Sequence, residues 1–243
     1  MLSNTRGIIF HARPYGETSV IADIFTEAHG LRGFIAGSVR TPKARIPYSL
    51  FQPMTVVDLV CYFRDSPHHL NRLKEMRAAI TFERIPFEVR RGAIALFMAE
   101  VCRKTIHEGE ENPPLFGFLV EYLYWLDQTE HPIANLHLHF MLHLSAHLGF
   151  QLEPREERPV YFDWQEGLFY SHLPPPESRT LLNEHDSARL CTLLECPLTR
   201  CHEVAMSRTD RRSLLQGMLN FYRSRLPAFY TIHTPEILEM VLG

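Results

Sequence analysis

A chain of 243 residues, 45% hydrophobic and 22% charged, is long enough for one large core or two modest ones and ordinary in balance for a globular protein. No apolar run approaches the ~20 residues of a membrane-spanning helix, and the opening MLSNTRGIIFHARPYG lacks a small-residue cleavage site, so the expected compartment is the cytosol. The net charge of −3 is unevenly spread: residues 1–80 carry ten Lys and Arg against six Asp and Glu, and the rest fifteen against twenty-two, as in a basic module joined to an acidic body.

The first 80 residues read as strands. RGIIFHAR (Arg6–Arg13) passes through a Pro-Tyr-Gly turn into Thr18–Thr26, where Val20, Ala22, Ile24 and Thr26 alternate with Ile21, Asp23 and Phe25. Glu27–Gly30 then turns into Leu31–Val39, which predicts a hairpin. Arg40–Ser49, RTPKARIPYS, packs three cations (Arg40, Lys43, Arg45), two prolines and a tyrosine into ten residues. Packing gives a loop between strands no reason to be so charged, and the stretch reads as a surface for a polyanion, nucleic acid first. Met54–Phe63 is a fourth run and, after RDSPHH, Leu70–Ala78 a fifth with a mixed period. Five short strands without room for crossover helices predict a small antiparallel barrel or sandwich, and a five-stranded OB-type barrel fits.

From Pro86 the period becomes helical. Pro86–Gly109 begins with proline, ends with glycine and sets Val89, Ala93, Leu96, Phe97, Glu100 and Val101 near one face. Pro114–Gln128 and Asn135–Gly149 are apolar nearly all round and read as interior helices of a bundle. Gln151–Pro176 is polar and proline-rich, with a hairpin expected around Glu166-Gly167, held by Tyr161, Trp164, Phe169 and Tyr170. Helices are expected again at Glu184–Cys196, Ser207–Arg223 and Pro235–Leu242, the last opened by the start signal Thr234-Pro235-Glu236. The change of period divides the chain into 1–80 and 81–243.

GIIFHARPYGET (Gly7–Thr18), IFTEAHGLRGFIAGSVR (Ile24–Arg40), the Pro-Lys-x-Arg loop (Pro42–Arg45) and Leu-x-Gln-Pro (Leu50–Pro53), followed by a helical remainder, resemble in that order the RecO family of bacterial recombination mediators. The resemblance spans the chain and is motif-specific over the first ~65 residues. It implies an N-terminal OB-fold and an α-helical C-terminal domain. It further implies binding and annealing of single- and double-stranded DNA, work with RecR, and contact with the C-terminal tail of single-stranded-DNA-binding protein, so that RecA is loaded. Many members hold zinc through four cysteines in the insert; Gln151–Pro176 has no cysteine, so no metal is expected.

In this reading Arg13, Arg32, Arg40, Lys43 and Arg45, then Arg72, Lys74 and Arg77, neutralise phosphates without reading sequence. Tyr48 is the expected base-stacker, and Phe34 and Phe51 are expected in the core. The rival class is a protein-interaction scaffold with incidental DNA contact, in which Arg90, Arg91, Arg103 and Lys104 receive an acidic, hydrophobic tail. A metal-dependent nuclease is a third option. His139, His143 and His147 share a helical face, yet their helix has no carboxylate to complete a metal set, and they are expected on the bundle rim. Cys191, Cys196 and Cys201, beside His185 and His202, lack zinc-knuckle spacing; all five cysteines are expected as reduced, structural thiols. No hydrolase, metalloprotease, P-loop or dinucleotide motif is present, and Glu110-Glu111 and Glu156-Glu157 read as solubilising charge, so no catalysis and no cofactor are expected.

Overall fold

Fourteen consecutive residues, Leu2–Tyr15, form β1, a strand long enough to pair on both sides. Its first half pairs with β4 (Val56–Tyr62) and its second half with β2 (Ser19–Thr26). The computed structural model describes residues 1–66, 68–109, 111–152, 161–173 and 181–242. By contact density these form two units, Met1–Gln128 and Thr129–Gly243. The change from strands to helices, near residues 79–88, falls inside the first.

In the first unit, β2 and β3 (Gly30–Ala36) form the expected hairpin, and Gly30 takes the left-handed conformation that closes it, φ +64°. β3 pairs in parallel with β5 (Asn71–Ala78), and β5 with β4, giving a closed barrel in the order β1-β2-β3-β5-β4. Alternation decides what fills it: Ile9, Val20, Ala22, Ile24, Phe34, Val57, Leu59 and Leu73 are interior. Between Ile9↔Ile24 and His11↔Asp23 the register slips by one, so Phe10 is an extra residue. The bulge turns Phe10 outward, where its ring stacks on Phe25 at 5.6 Å.

Ile8, Phe10, Ile21, Phe25 and Leu31 are also buried, on the outside of the barrel. They are covered by α1 (Val89–Thr105) and α2 (Pro113–Gln128); Phe25 meets Phe116 at 6.1 Å and Asp23 binds Arg103 at 3.2 Å. Sandwiched between strands and α2, α1 buries Ala93–Ala95 and Phe97–Ala99 rather than a single stripe, while Val89 and Leu96, expected inside, are 74% and 42% exposed. α2 also departs from the expected all-round burial: Leu115, Phe116, Leu119, Tyr122, Leu123 and Leu126 face in, and Tyr124 is 58% exposed. The end of α2 ties down the connection from the barrel. The buried Asp127 carboxylate accepts backbone N–H bonds from Glu83, Arg84 and Ile85 at 2.9–3.0 Å.

The second unit is built on α3 (Leu136–His147), buried without a break from Leu136 to Leu142. Around it lie α4 (Glu184–Glu195), capped by Asn183, and α5 (Arg208–Arg225), opened by a Ser207–Asp210 capping box. α6 (Thr234–Leu242) begins at its expected threonine. The Tyr222 hydroxyl donates to the Met141 carbonyl at 2.6 Å, locking α5 to α3. The expected hairpin is β6 (Tyr161–Asp163) and β7 (Leu168–Tyr170) around Gly167, φ +73°, and β8 (Leu181–Leu182) adds an unforeseen third strand. Its packing residues are Phe162, Trp164 and Phe169; Tyr161 and Tyr170, expected among them, are half-buried. The rest of the predicted insert, 153–160 and 174–176, with Glu156-Glu157, lies outside the described residues, as does Glu110.

Candidate nucleic-acid interface

The basic loop is pinned from within. Val39, Ile46 and Phe51 belong to the barrel core, whereas Arg40, Lys43 and Arg45 between them are exposed. Apolar pegs thus fix the loop while its cations stay in solvent. A bulge in β5 supplies the facing wall: the pairs Val60↔Glu75 and Cys61↔Leu73 leave Lys74 as an extra residue. Lys74 and Glu75 therefore both face outward between the inward Leu73 and Met76, which accounts for the mixed period of this strand.

Loop and bulge meet over a hollow of about 750 Å³ whose wall includes Lys43, Arg45, Arg72, Lys74, Tyr62 and Ser38. A second hollow of about 580 Å³ shares Arg45, Ile46 and Lys74 and continues past Asn4, Asp58, Glu75 and Arg77. Among the described residues Lys43, Arg45 and Arg72 form no ion pair, while Lys74 sits 3.4 Å from Glu75 and Arg77 3.1 Å from Asp58. Positive charge is therefore strongest in the first hollow and offset by carboxylates in the second. The outer surface around Ile8, Phe10, Ile21 and Phe25 is taken up by α1 and α2, and the hollows lie elsewhere, along the β4 and β5 side of the barrel.

The other sequence-nominated residues fall elsewhere. Arg32 pairs with the inward Ile24, so strand alternation turns it to the barrel mouth. There its side chain is only 13% exposed, bonded to Asp65 at 2.9 Å and to the Gly109 carbonyl at 3.3 Å, with its guanidinium over Phe63. Arg13 is exposed on the outer face of β1, the face that carries His11 opposite Asp23 of β2. Arg40 and Tyr48 are exposed but line neither hollow, Tyr48 sitting in a short 3₁₀ turn. Phe34 and Phe51 are core, as expected.

The four cations of α1 do not form one patch. Arg91 is interior, bonded to Glu88 and to the Leu126 carbonyl, and Arg103 is held by Asp23. Arg90 and Lys104 stand about 20 Å apart along the axis. Sequence reasoning missed Tyr62 and Ile46: the first read as one aromatic of a strand, and the second was masked by the cations around it.

Of the three histidines expected on the bundle rim, His139 is interior, whereas His143 and His147 are half-buried. His137 and His139 are 3% and 2% exposed, and His139 bonds the Cys196 carbonyl at 3.0 Å. Burial drives the His137 imidazole down to about 3 and His139 to about 4. Cys191 and Cys201 are buried thiols pushed up to about 11 and about 12, chiefly by burial. Among the described residues no group of three or more His, Cys, Asp or Glu is placed to hold a metal ion. No described helix is long and apolar enough to cross a membrane.

Comparison with known proteins gives these features a lineage. The family model described as recombination protein O N terminal matches residues 1–82, and that of recombination protein O C terminal matches 86–231. The chain is 31% identical to a DNA repair protein RecO of Phocaeicola vulgatus over 245 residues, and 32% to one of Bacteroides fragilis over 240, with 98% of each chain covered. A DNA repair protein RecO of Flavobacterium psychrophilum is 29% identical over the full length of both.

Proposed function

Because the chain belongs to the recombination protein O family, whose general role is recombination repair, we propose that its barrel grips single- and double-stranded DNA by their phosphates and promotes strand annealing without covalent catalysis. With RecR it would load RecA onto DNA coated by single-stranded-DNA-binding protein, in the bacterial cytosol. The observation that carries this reading is the convergence of Lys43 and Arg45 with Arg72 and Lys74 on one open hollow, three of the four free of ion pairs among the described residues. Annealing needs two polyanions held together, their repulsion neutralised and their bases free. A short cationic hollow meets those needs by counterion release.

The tail of single-stranded-DNA-binding protein calls for a cation beside an apolar recess. The cations of α1 are spread over the helix, whereas in the second unit Arg208, Arg211 and Arg212 border Leu215, Leu238 and Leu242 around one recess, Arg212 being held by Glu239 at 3.1 Å, and this is the place we propose for the tail. The test is a gel-shift titration against salt with the full chain, with and without tail peptide. In Lys43→Ala/Arg45→Ala, binding weakens alike across sequences, and the slope of log K against log salt flattens by about 1.4 for single strands, ~0.7 per phosphate contact. The already paired Arg77→Ala should do much less. An unchanged slope in the double variant removes the groove assignment, and tail-dependent binding without a DNA response selects the scaffold.

A further inference from the structure

Resting on the reading of the hollow as a DNA groove, we propose that Tyr62 is its base-stacking platform and the residue that separates single strands from duplex. Tyr62 is 52% exposed and is the one aromatic among the described residues lining either hollow. Register fixes its neighbours: Tyr62 pairs with Leu2 on β1 and with Arg72 on β5, and Arg72 pairs in turn with Ile35 on β3. Directly paired residues point to the same side of a sheet, so Leu2, Tyr62, Arg72 and Ile35 form a row across four strands. That row is an apolar shelf, Leu2 being 54% exposed, interrupted by one cation.

A ring beside a guanidinium suits a nucleotide whose base lies on the ring while its phosphate meets the charge. Every base has a π-face, so such stacking is tolerant of sequence. It does require an unpaired base: in a duplex the faces are already stacked, and only the phosphates remain for Lys43, Arg45, Arg72 and Lys74. The ordinary alternative for an exposed strand tyrosine is a residue that merely suits a pleated surface. Its place on the wall of the cationic hollow, beside Arg72, which forms no ion pair among the described residues, is what argues for stacking.

The experiment measures binding of the full-length chain to a single strand carrying 2-aminopurine and to a duplex of the same length, at one salt concentration and across a salt series. For Tyr62→Ala the expected result is roughly 5- to 100-fold weaker single-strand binding, loss of the 2-aminopurine fluorescence change, an unaltered salt slope and unaltered duplex affinity. Tyr62→Phe keeps the ring and should restore both affinity and fluorescence signal. Equal losses on single strand and duplex, no loss at all, or failure of the phenylalanine to restore binding would each overturn the proposal. A wild-type chain that binds neither form in a salt-dependent way would instead refute the DNA groove, so the two failures are told apart.

Discussion

Asp127 offers the sharpest test of how the first unit is held together. Its Oδ1 accepts from the Arg84 and Ile85 N–H groups and its Oδ2 from Glu83 N–H and the Gln128 amide. In Asp127→Asn the remaining oxygen keeps the first pair, but the new amide turns a donor toward two donors. In Asp127→Ala all three main-chain groups lose their acceptor, the Ile85 N–H in a buried place. At about 1–3 kcal/mol for a buried orphan and less for the half-exposed pair, we expect losses of about 2 kcal/mol for Asn and 3–4 for Ala, a sizeable share of a typical folding free energy.

The pH dependence follows from the same geometry. Burial pushes the Asp127 carboxyl up, but the backbone donors and Gln128 outweigh it and hold it below the usual carboxylate value. Its folded value is therefore depressed, so its contribution is complete above the unfolded value of about 4 and lost as pH falls through the lower folded one. Urea unfolding followed by circular dichroism at pH 7 and at pH 3 measures both effects. An Asn variant as stable as wild type at pH 7, or a gap that does not narrow in acid, would refute the argument.

His139→Gln keeps a bond to the Cys196 carbonyl and removes the imidazole. Because burial depresses His139 from about 6.5 to about 4, wild-type stability should fall by on the order of 3 kcal/mol more than the variant's between pH 7 and pH 4, read from urea midpoints. Two glycines should respond with opposite signs in thermal melts. A Cβ on Gly217 of α5 would lie 2.2 Å from the Trp164 indole, so Gly217→Ala should lose about 1–3 kcal/mol and alter tryptophan fluorescence. Gly117 of α2 has open space around it, and Gly117→Ala should gain about 0.5–1 kcal/mol.

Local signals were read well where one periodicity dominated. The hairpin about Glu27–Gly30, the turn at Gly167 and the α6 start at Thr234 all stand where their residues placed them. Errors arose where tertiary partners chose the face. Val89 and Leu96 looked like core until the barrel and α2 buried the other sides of α1. Arg32 looked like a DNA ligand because composition ignores direction; Phe34, two residues on and plainly core, already implied that Arg32 faces the same way. The bulge at Lys74 left only an irregular pattern, since a single inserted residue has no signature of its own, and with it went the link between β5 and the loop. His139, set among apolar neighbours, was assigned to a rim although its whole helix pointed to the interior.

A strand counts in odd and even numbers, and Phe10 is where β1 changes its count. Before it the odd-numbered Gly7 and Ile9 face the inside; after it the even-numbered Ala12 and Pro14 do, opposite Ala22 and Val20. Delete that one residue and the strand falls into plain alternation against an unchanged partner, with Ile9 in, His11 out, Ala12 in and Arg13 out; the loss is the outward ring stacked on Phe25. Keep all fourteen residues but flatten the bulge, and the faces exchange instead: His11 and charged Arg13 would turn inward in place of small Ala12, a cost felt throughout the second half of the strand.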